Sequence, residues 1–463
     1  MNRQMINTLC SVLRHAVTIL CGLILPREIL LHYGSEMNGM VLSVARFLSY
    51  TMLLELGIGA VIPAALYQPL AARDFRQVSA ILSSGRRVFR RIAGISLIYV
   101  VLLLALFPAA SGIPASAGFI LVLGLGTLMH YLVGIPESLL ILSDQSGYVL
   151  YLLGTVTVLA GTAVQIVLIR SGHPLLLVRL AGTLLNLGSI GVVLLYVRTR
   201  YPLERRVRYD AEPIPQKWNG IAQHVAYFVL ENVDIVLLTL FTSFREVSVY
   251  SVYFMAISGV RRIFISVSGS IQPKLGELIA ERDSDGLNRF FAAFEKWNHL
   301  FVMIVFGTLF LFLTPFVRVY TEGITDANYN RPVFAALMTA AYALQCLRDP
   351  YDKLILASGR FRQTQMNYVI ATALNLGISV IAVQFRGLEG VAAGTLAAMA
   401  YQVVYMALYD NREILRRSSG NLVRIAVIFL FLFLILPLVA RVTEAPAEML
   451  VRRILEPLRG LSK

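Results

Sequence analysis

Charged residues are scarce in this sequence, because Asp, Glu, Lys and Arg together make up only 15% of its 463 residues. A soluble chain of this length needs more charge to hydrate its surface. Hydrophobic residues reach 57%, and apolar runs of about 20 residues, each able to cross a ~30 Å hydrocarbon core, recur along the whole length. The composition therefore predicts an all-α polytopic membrane protein.

Paired cysteines and the common catalytic motifs are also lacking. Cys10, Cys21 and Cys346 lie far apart within apolar runs, so neither a disulfide framework nor a metal site is predicted. No P-loop, nucleophile elbow or zinc motif occurs. Asp283-Ser-Asp285 resembles the D-x-D of glycosyltransferases, but a glycine follows it and ordinary turn chemistry explains the three residues. We expect no cofactor, no metal and no enzymatic activity.

The net charge of +14 comes from arginines that cluster in alternate loops between the apolar runs. This is the positive-inside pattern of membrane proteins, so nucleic-acid binding is not expected. The basic stretches 67–87, 197–218 and 274–295 are assigned to the cytoplasm, whereas the loops near 32–39 and 109–117 hold no Lys or Arg. The N-terminus is therefore expected on the cytoplasmic side of the membrane.

The chain reads as thirteen membrane spans that contain an internal repeat. The expected spans are 6–31, 39–66, 88–108, 117–142, 147–170, 174–196, 219–241, 248–273, 296–317, 331–357, 365–385, 388–409 and 422–440. The segment that begins at Pro136 in span 4 aligns with the segment that begins at Pro350 in span 10. Six spans per repeat is an even number, so both halves enter the membrane from the same side.

These patterns predict two parallel six-helix transmembrane lobes, 1–200 and 219–412, around a central cleft. A basic, cytoplasmic linker over 201–218 joins them, and 413–463 adds one extra span and an amphipathic tail. The tail, 443–463, is expected to lie at the membrane interface, because it mixes Arg with Leu and Ile. Two lobes around a cleft are the layout of an alternating-access transporter.

Several short motifs carry a resemblance to a known family. They are Tyr33-Gly-Ser-Glu-Met-Asn-Gly39, Glu55-Leu-Gly-Ile-Gly-Ala60, Ser143-Asp-Gln-Ser-Gly-Tyr148 and Leu374-Asn-Leu-Gly-Ile-Ser379. The chain resembles, over about 30–410, the Wzx-type polysaccharide and oligosaccharide-lipid flippases of the multidrug/oligosaccharidyl-lipid/polysaccharide exporter superfamily. The resemblance implies that a polyprenyl-diphosphate-linked glycan is moved between leaflets, in a pathway with a glycan polymerase or glycosyltransferases as partners. The extra span departs from the twelve-helix plan.

Arginines inside apolar spans are the candidate substrate-binding residues. Charge at mid-helix costs on the order of 2.5–3.5 kcal/mol, so such residues usually face a cavity or each other. Arg14 and Arg46 lie on polar stripes of spans 1 and 2, and Arg261 and Arg262 lie in span 8. We expect these cations to face the cleft and to hold a diphosphate through bidentate contacts. The alternative for each is a structural ion pair or an interfacial position.

Span 7 carries a second set of candidates, His224, Tyr227, Glu231 and Asp234, at spacings that place them on one helix face. One interpretation is a site that couples transport to a Na⁺ or H⁺ gradient. The other is inter-lobe salt bridges from its acids to Arg261 or Arg262, and the two interpretations are compatible in different states of the transporter.

Two prolines lie inside expected spans. Pro136 and Pro350 remove backbone donors within spans 4 and 10, as gating hinges or as packing kinks. A cation-coupled multidrug exporter of the same architecture is the main alternative function, and it would favour acids over arginines. A membrane glycan polymerase is disfavoured, because the longest outer loop has only about a dozen residues.

Overall fold

The computed structural model describes residues 3–55, 58–204, 221–269, 271–418, 420–431 and 436–460. These residues form helices and no strand, as the composition predicts. The chain divides into two compact units, Met1–His224 and Val225–Lys463. Most of the expected linker, from residue 205 on, lies outside the described residues.

The described residues of the first unit form seven α-helices, one 3₁₀ turn and one π-helical turn. Its helices are α1 (Arg3–Ser49), α2 (Ile58–Ala72), α3 (Phe75–Ser111), α4 (Ser116–Met129), α5 (Ile135–Ser143), α6 (Gly147–Arg170) and α7 (Leu175–Arg200). A 3₁₀ turn, Tyr50–Glu55, follows α1, and a π-helical turn, His130–Gly134, joins α4 to α5. A core of Leu, Ile, Val and aromatic residues packs α2, α3, α5 and α7 together.

The described residues of the second unit form nine α-helices. Its helices are α8 (Ile221–Phe241), α9 (Phe244–Ser268), α10 (Gln272–Ala280), α11 (Ser284–Tyr320), α12 (Pro332–Ala357), α13 (Phe361–Arg386), α14 (Leu388–Tyr409), α15 (Asn421–Leu430) and α16 (Leu436–Gly460). A π-helical turn, Asp410–Ile414, continues α14. The expected extra span, 422–440, does not match one described helix, because α15 ends at Leu430 and α16 begins at Leu436 and continues into the expected tail.

The first two expected spans, 6–31 and 39–66, differ from the structure in where their helices begin and end. The expected loop between spans 1 and 2 is a single break inside α1 at Gly34, where φ is 79° and ψ is 172°. Glycine adopts this conformation without strain because it has no Cβ. Span 2 is not one helix, since it consists of the end of α1, the 3₁₀ turn and α2.

The long helices α3 and α11 match each other in detail. Each has 37 residues, and each starts at an aspartate, Asp74 or Asp283, whose side chain accepts a hydrogen bond from the amide three residues on. Each aspartate follows an arginine with positive φ, Arg73 at 56° and Arg282 at 59°. Aspartate satisfies a free amide of the first turn in this way. These shared features agree with an internal repeat. The boundaries of the lobes and their parallel arrangement stay predictions.

Eight helical stretches among the described residues are long and apolar enough to cross a membrane. The first of them, Met5–Glu55, contains all of span 1 and the start of span 2, and the others correspond to spans 3 to 6, 9, 11 and 12. The expected spans outside this set include α8, α9 and α12. These three helices carry the charged side chains of the site described next.

The C-terminal helix α16 lies along the end of α11. Val451 and Leu455 pack against Val319, and the Arg452 guanidinium lies 3.0 Å from the Glu322 carboxylate. Met449 and the neighbouring Leu450 stay exposed on another face. The amphipathic character expected of 443–463 is present over 443–456, where the packed side contacts α11 of the same unit.

Candidate functional site

Tyr227, Glu231 and Asp234 lie on one face of α8, as their spacing in the sequence predicts. Tyr227 is exposed, Glu231 is half-buried and Asp234 is buried, with 5% of its surface exposed. The side chain of His224 lies outside the described residues. Because these residues are about one helical turn apart, they lie on one face of α8, and their solvent exposure decreases from Tyr227 to Asp234.

Glu231 is held by a close ion pair. Both guanidinium nitrogens of Arg261 donate to its two carboxylate oxygens, at 2.6 and 2.9 Å, and Gln345 of α12 also donates to it. The guanidinium carbon lies 5.6 Å from the ring centre of Tyr342. The expected partnership of span 7 with an arginine of span 8 is therefore found. It lies within the second unit, however, so it is not an inter-lobe salt bridge.

Asp234 accepts hydrogen bonds from hydroxyl groups. Tyr250 of α9 donates at 3.0 Å, and Thr395 of α14 donates to both carboxylate oxygens at 3.1 Å. Behind Thr395 lie Asn375, with its amide 3.5 Å away, and Ser379, which bonds to Asn375 at 3.0 Å. Hydroxyl, amide and carboxylate oxygens are the ligands that hard cations prefer. This cluster, Asp234 with Tyr250, Thr395, Asn375 and Ser379, can hold a small cation or a proton.

A buried arginine of α12 escaped the sequence analysis. Arg348, with 4% of its surface exposed, donates to Gln402 and lies 5.7 Å from the ring centre of Tyr368. Tyr368 in turn donates to Asp352. The signal was present in the sequence, because Arg348 and Asp349 stand next to Pro350 inside an apolar span. Of these three residues, only Pro350 was predicted to have a functional role.

In the first unit, Arg14 lies against α6. The guanidinium packs on Gly154, where an added Cβ would come within 2.9 Å of the Arg14 guanidinium carbon. Arg14 is half-buried and makes no ion pair among the described residues. Arg46 is half-buried as well, and Arg262 of the second unit is exposed and forms no ion pair within the described chain. The four candidate arginines therefore differ, since Arg261 alone is engaged with Glu231.

Two other arginines of the first unit serve buried carboxylates. Arg86 of α3 donates to Glu137 of α5 at 2.8 Å, and Arg170 of α6 donates to Glu28 of α1 at 3.2 Å. Glu137 and Glu28 are almost fully buried. Such pairs are structural, because removing one partner would leave an uncompensated buried charge.

The two candidate hinges differ in the structure. Pro136 lies in the first turn of α5, directly after the π-helical turn, so span 4 stays helical but changes from π- to α-helical geometry there. Pro350 lies inside α12, which continues as one helix from Pro332 to Ala357. Proline is tolerated in a first turn, where its missing N–H has no intrahelical partner. Their roles as hinges stay predictions.

No group of three His, Cys, Asp or Glu side chains able to hold a metal ion occurs among the described residues. The three cysteines are free. Asp283, the first aspartate of the D-x-D segment, caps α11.

The fold is that of known membrane transporters. The inward-closed lipid II flippase MurJ aligns with a TM-score of 0.65 at 13% identity, over 98% of this chain and 99% of MurJ. An inward-facing multidrug resistance transporter of the MATE family, from the MOP superfamily, aligns with a TM-score of 0.57 at 13% identity, over 89% and 98%. The MATE multidrug transporter DinF-BH aligns with a TM-score of 0.57 at 15% identity, over 88% and 95%.

These alignments confirm the expected fold class, an all-helical membrane protein with the fold of the multidrug/oligosaccharidyl-lipid/polysaccharide exporter superfamily. No family model matches the sequence. No curated protein matches it either. The Wzx-type assignment therefore stays a prediction.

Proposed function

We propose that this chain is a flippase that moves a polyprenyl-diphosphate-linked oligosaccharide across the bacterial inner membrane by alternating access. The fold supports a transporter, since one neighbour is a lipid II flippase and others are multidrug transporters. The proposed place of the protein is surface polysaccharide biosynthesis, with its N-terminus in the cytoplasm and with glycosyltransferases or a polymerase in the same pathway.

The main support for an anionic substrate is that two of the candidate arginines form no ion pair among the described residues. Arg14 lies in an apolar helix without an ion pair among the described residues, and Arg262 is exposed without one. A cation in an apolar helix is costly, so it is retained for a partner that the chain itself does not supply. A diphosphate offers that partner, because a guanidinium binds phosphate oxygens through two parallel hydrogen bonds.

The alternative function is a cation-coupled multidrug exporter, and the MATE neighbours favour it. Such an exporter needs accessible acids for cationic drugs. The two acids of α8 do not meet this need, because Glu231 is neutralised by Arg261 and Asp234 is 5% exposed. The Asp234 cluster fits the coupling ion better, so we propose Na⁺ or H⁺ binding there.

Reconstitution of the purified chain into vesicles tests the proposal. A fluorescent prenyl-diphosphate oligosaccharide and a fluorescent cationic dye are offered in parallel, and transbilayer movement of each is followed. We expect faster movement of the diphosphate only, and a loss of at least about tenfold in the Arg14→Ala/Arg262→Ala variant, the scale of about 1.4 kcal/mol.

Arg289→Ala is the matched control, because Arg289 is exposed at the start of α11 and outside the apolar spans. Its rate is expected to equal that of the wild type. If the chain moved the cationic dye across the bilayer but did not accelerate movement of the diphosphate, the multidrug exporter would be supported instead. Arg14→Lys is expected to restore part of the rate, because the charge remains and the planar fork is lost.

A further inference from the structure

The π-helical turn Asp410–Ile414 carries a buried carboxylate that the proposed transport cycle does not use. This turn continues α14, at the end that the positive-inside pattern assigns to the cytoplasm. Asp410 and the next residue, Asn411, have none of their surface exposed. Single π-turns inside helices are rare and occur frequently at functional sites.

Neither carboxylate oxygen of Asp410 has a hydrogen-bond partner among the described residues. Arg417 and Arg360 form ion pairs with other carboxylates. Arg417 makes two hydrogen bonds to Glu295 of α11, at 2.9 and 2.8 Å, and Arg360 pairs with Glu413 at 3.8 Å. Asp410 is therefore a fully buried carboxyl group without the donors that an ionised carboxylate requires.

The surrounding charges do not favour ionisation. The charged groups that act on Asp410 most strongly are Asp352 of α12, Glu295 of α11, Arg417 and Arg360, and exposed Arg412 and Glu413 stand in the same turn. Two of the first four are acids, and the two arginines among them already serve other carboxylates. An ionised Asp410 would lose its hydration and gain repulsion from Asp352. The neutral acid avoids both costs.

We propose that Asp410 is a proton-binding site that holds its proton at neutral pH. A proton is favoured over a metal cation, because a cation needs several oxygen ligands around it. The amide oxygen of Asn411, the adjacent candidate, already accepts a hydrogen bond from Arg417 at 2.8 Å. Arg417 and Glu295 flank the turn and complete a polar end to the second unit.

This site is separate from the Asp234 cluster. Thr395, which bonds Asp234, lies fifteen residues before Asp410, about 22 Å along the helix at ~1.5 Å per residue. The two carboxyl groups also differ in their partners. Asp234 accepts hydrogen bonds from two hydroxyls, whereas Asp410 accepts none among the described residues.

Infrared spectroscopy of the purified full-length chain at neutral pH tests the proposal. A protonated carboxyl has a carbonyl stretch above the amide bands, and we expect one such band to be lost in Asp410→Asn. Glu413→Gln is the matched control, because Glu413 is exposed in the same turn and its removal should leave the band unchanged. A spectrum of Asp410→Asn with the full wild-type band would overturn the proposal.

Thermal unfolding provides the second measurement. We expect the midpoint of thermal unfolding of the wild type to fall more steeply than that of Asp410→Asn as the pH rises. Asp410 is protonated in the folded state and releases its proton on unfolding, and a higher pH favours that release. Replacing Na⁺ by choline should change both midpoints equally. A stabilisation by Na⁺ that Asp410→Asn loses and Glu413→Gln keeps would show a metal cation at Asp410 instead, and would also overturn the proposal.

Discussion

The guanidinium of Arg261 donates to both carboxylate oxygens of Glu231, one pair at 2.6 Å and the other at 2.9 Å. The two side chains are only 13% and 14% exposed. This fork makes one of the four candidate substrate arginines a partner of one of the four candidate coupling residues. It places Arg261 in the framework that positions α8 against α9.

The first prediction concerns this pair and uses a double-mutant cycle. Arg261→Ala and Glu231→Ala should each lower the midpoint of thermal unfolding, because each leaves a desolvated charge. The double variant should lose less than the sum of the two, with a coupling on the order of 0.5–3 kcal/mol. Additive losses would mean that the fork contributes nothing to stability.

The second prediction concerns the contact between Arg14 and Gly154. Gly154→Ala adds a methyl group that meets the Arg14 guanidinium, and the flexible side chain must then move. We expect unchanged thermal stability but a several-fold loss of glycan translocation in vesicles. Gly161→Ala is the matched control, since it lies on the same helix and its added Cβ meets nothing within 4 Å. Equal rates for both variants would show that the position of Arg14 does not matter.

The sequence predicted most of the fold, because spans, caps and basic segments are local features. Periodicity placed Glu231 and Asp234 on one face of α8, and the composition identified a membrane protein. Two of the basic segments, 67–87 and 274–295, were wrongly predicted to be loops. Arg76 and Arg86 lie on α3, and Arg289 lies on α11, because each long helix extends well beyond its apolar span.

Contacts between distant residues could not be predicted in the same way. The sequence offered Arg261 and Arg262 equally to Glu231, and only the packing of α9 against α12 distinguishes them. Thr395 and Tyr250 were invisible as partners of Asp234, because hydroxyl residues are common in membrane helices and carry no signal of their own. The space that Gly154 leaves for Arg14 likewise depends on how α1 meets α6.

The third prediction concerns topology. In a background without the three native cysteines, Arg76→Cys and Asp285→Cys should resist a membrane-impermeant thiol reagent in intact cells, because positive-inside orientation places both in the cytoplasm. Ser171→Cys and Thr325→Cys should react. All four positions are exposed in the structure, so burial does not explain a lack of labelling. The reverse pattern would invert the orientation of the whole chain.

The last prediction concerns coupling at Asp234. Asp234→Asn keeps the shape of the side chain and removes its charge, so the hydroxyls of Tyr250 and Thr395 lose an ionised acceptor. In vesicles with an imposed Na⁺ or H⁺ gradient, we expect the wild type to move the fluorescent diphosphate faster with the gradient than without it. Asp234→Asn should lose this acceleration and keep the slow, gradient-independent rate.

Two variants separate coupling from simple loss of structure. Tyr250→Phe removes one donor to Asp234 and leaves the carboxylate in place, so it should weaken the response to the gradient without abolishing it. Glu231→Gln/Asp234→Asn should impair transport while insertion into the membrane, measured by the amount of protein, stays normal. If Asp234→Asn responded to the gradient as strongly as the wild type does, the driving ion would have to bind elsewhere, and the α8 face would be reduced to a structural role.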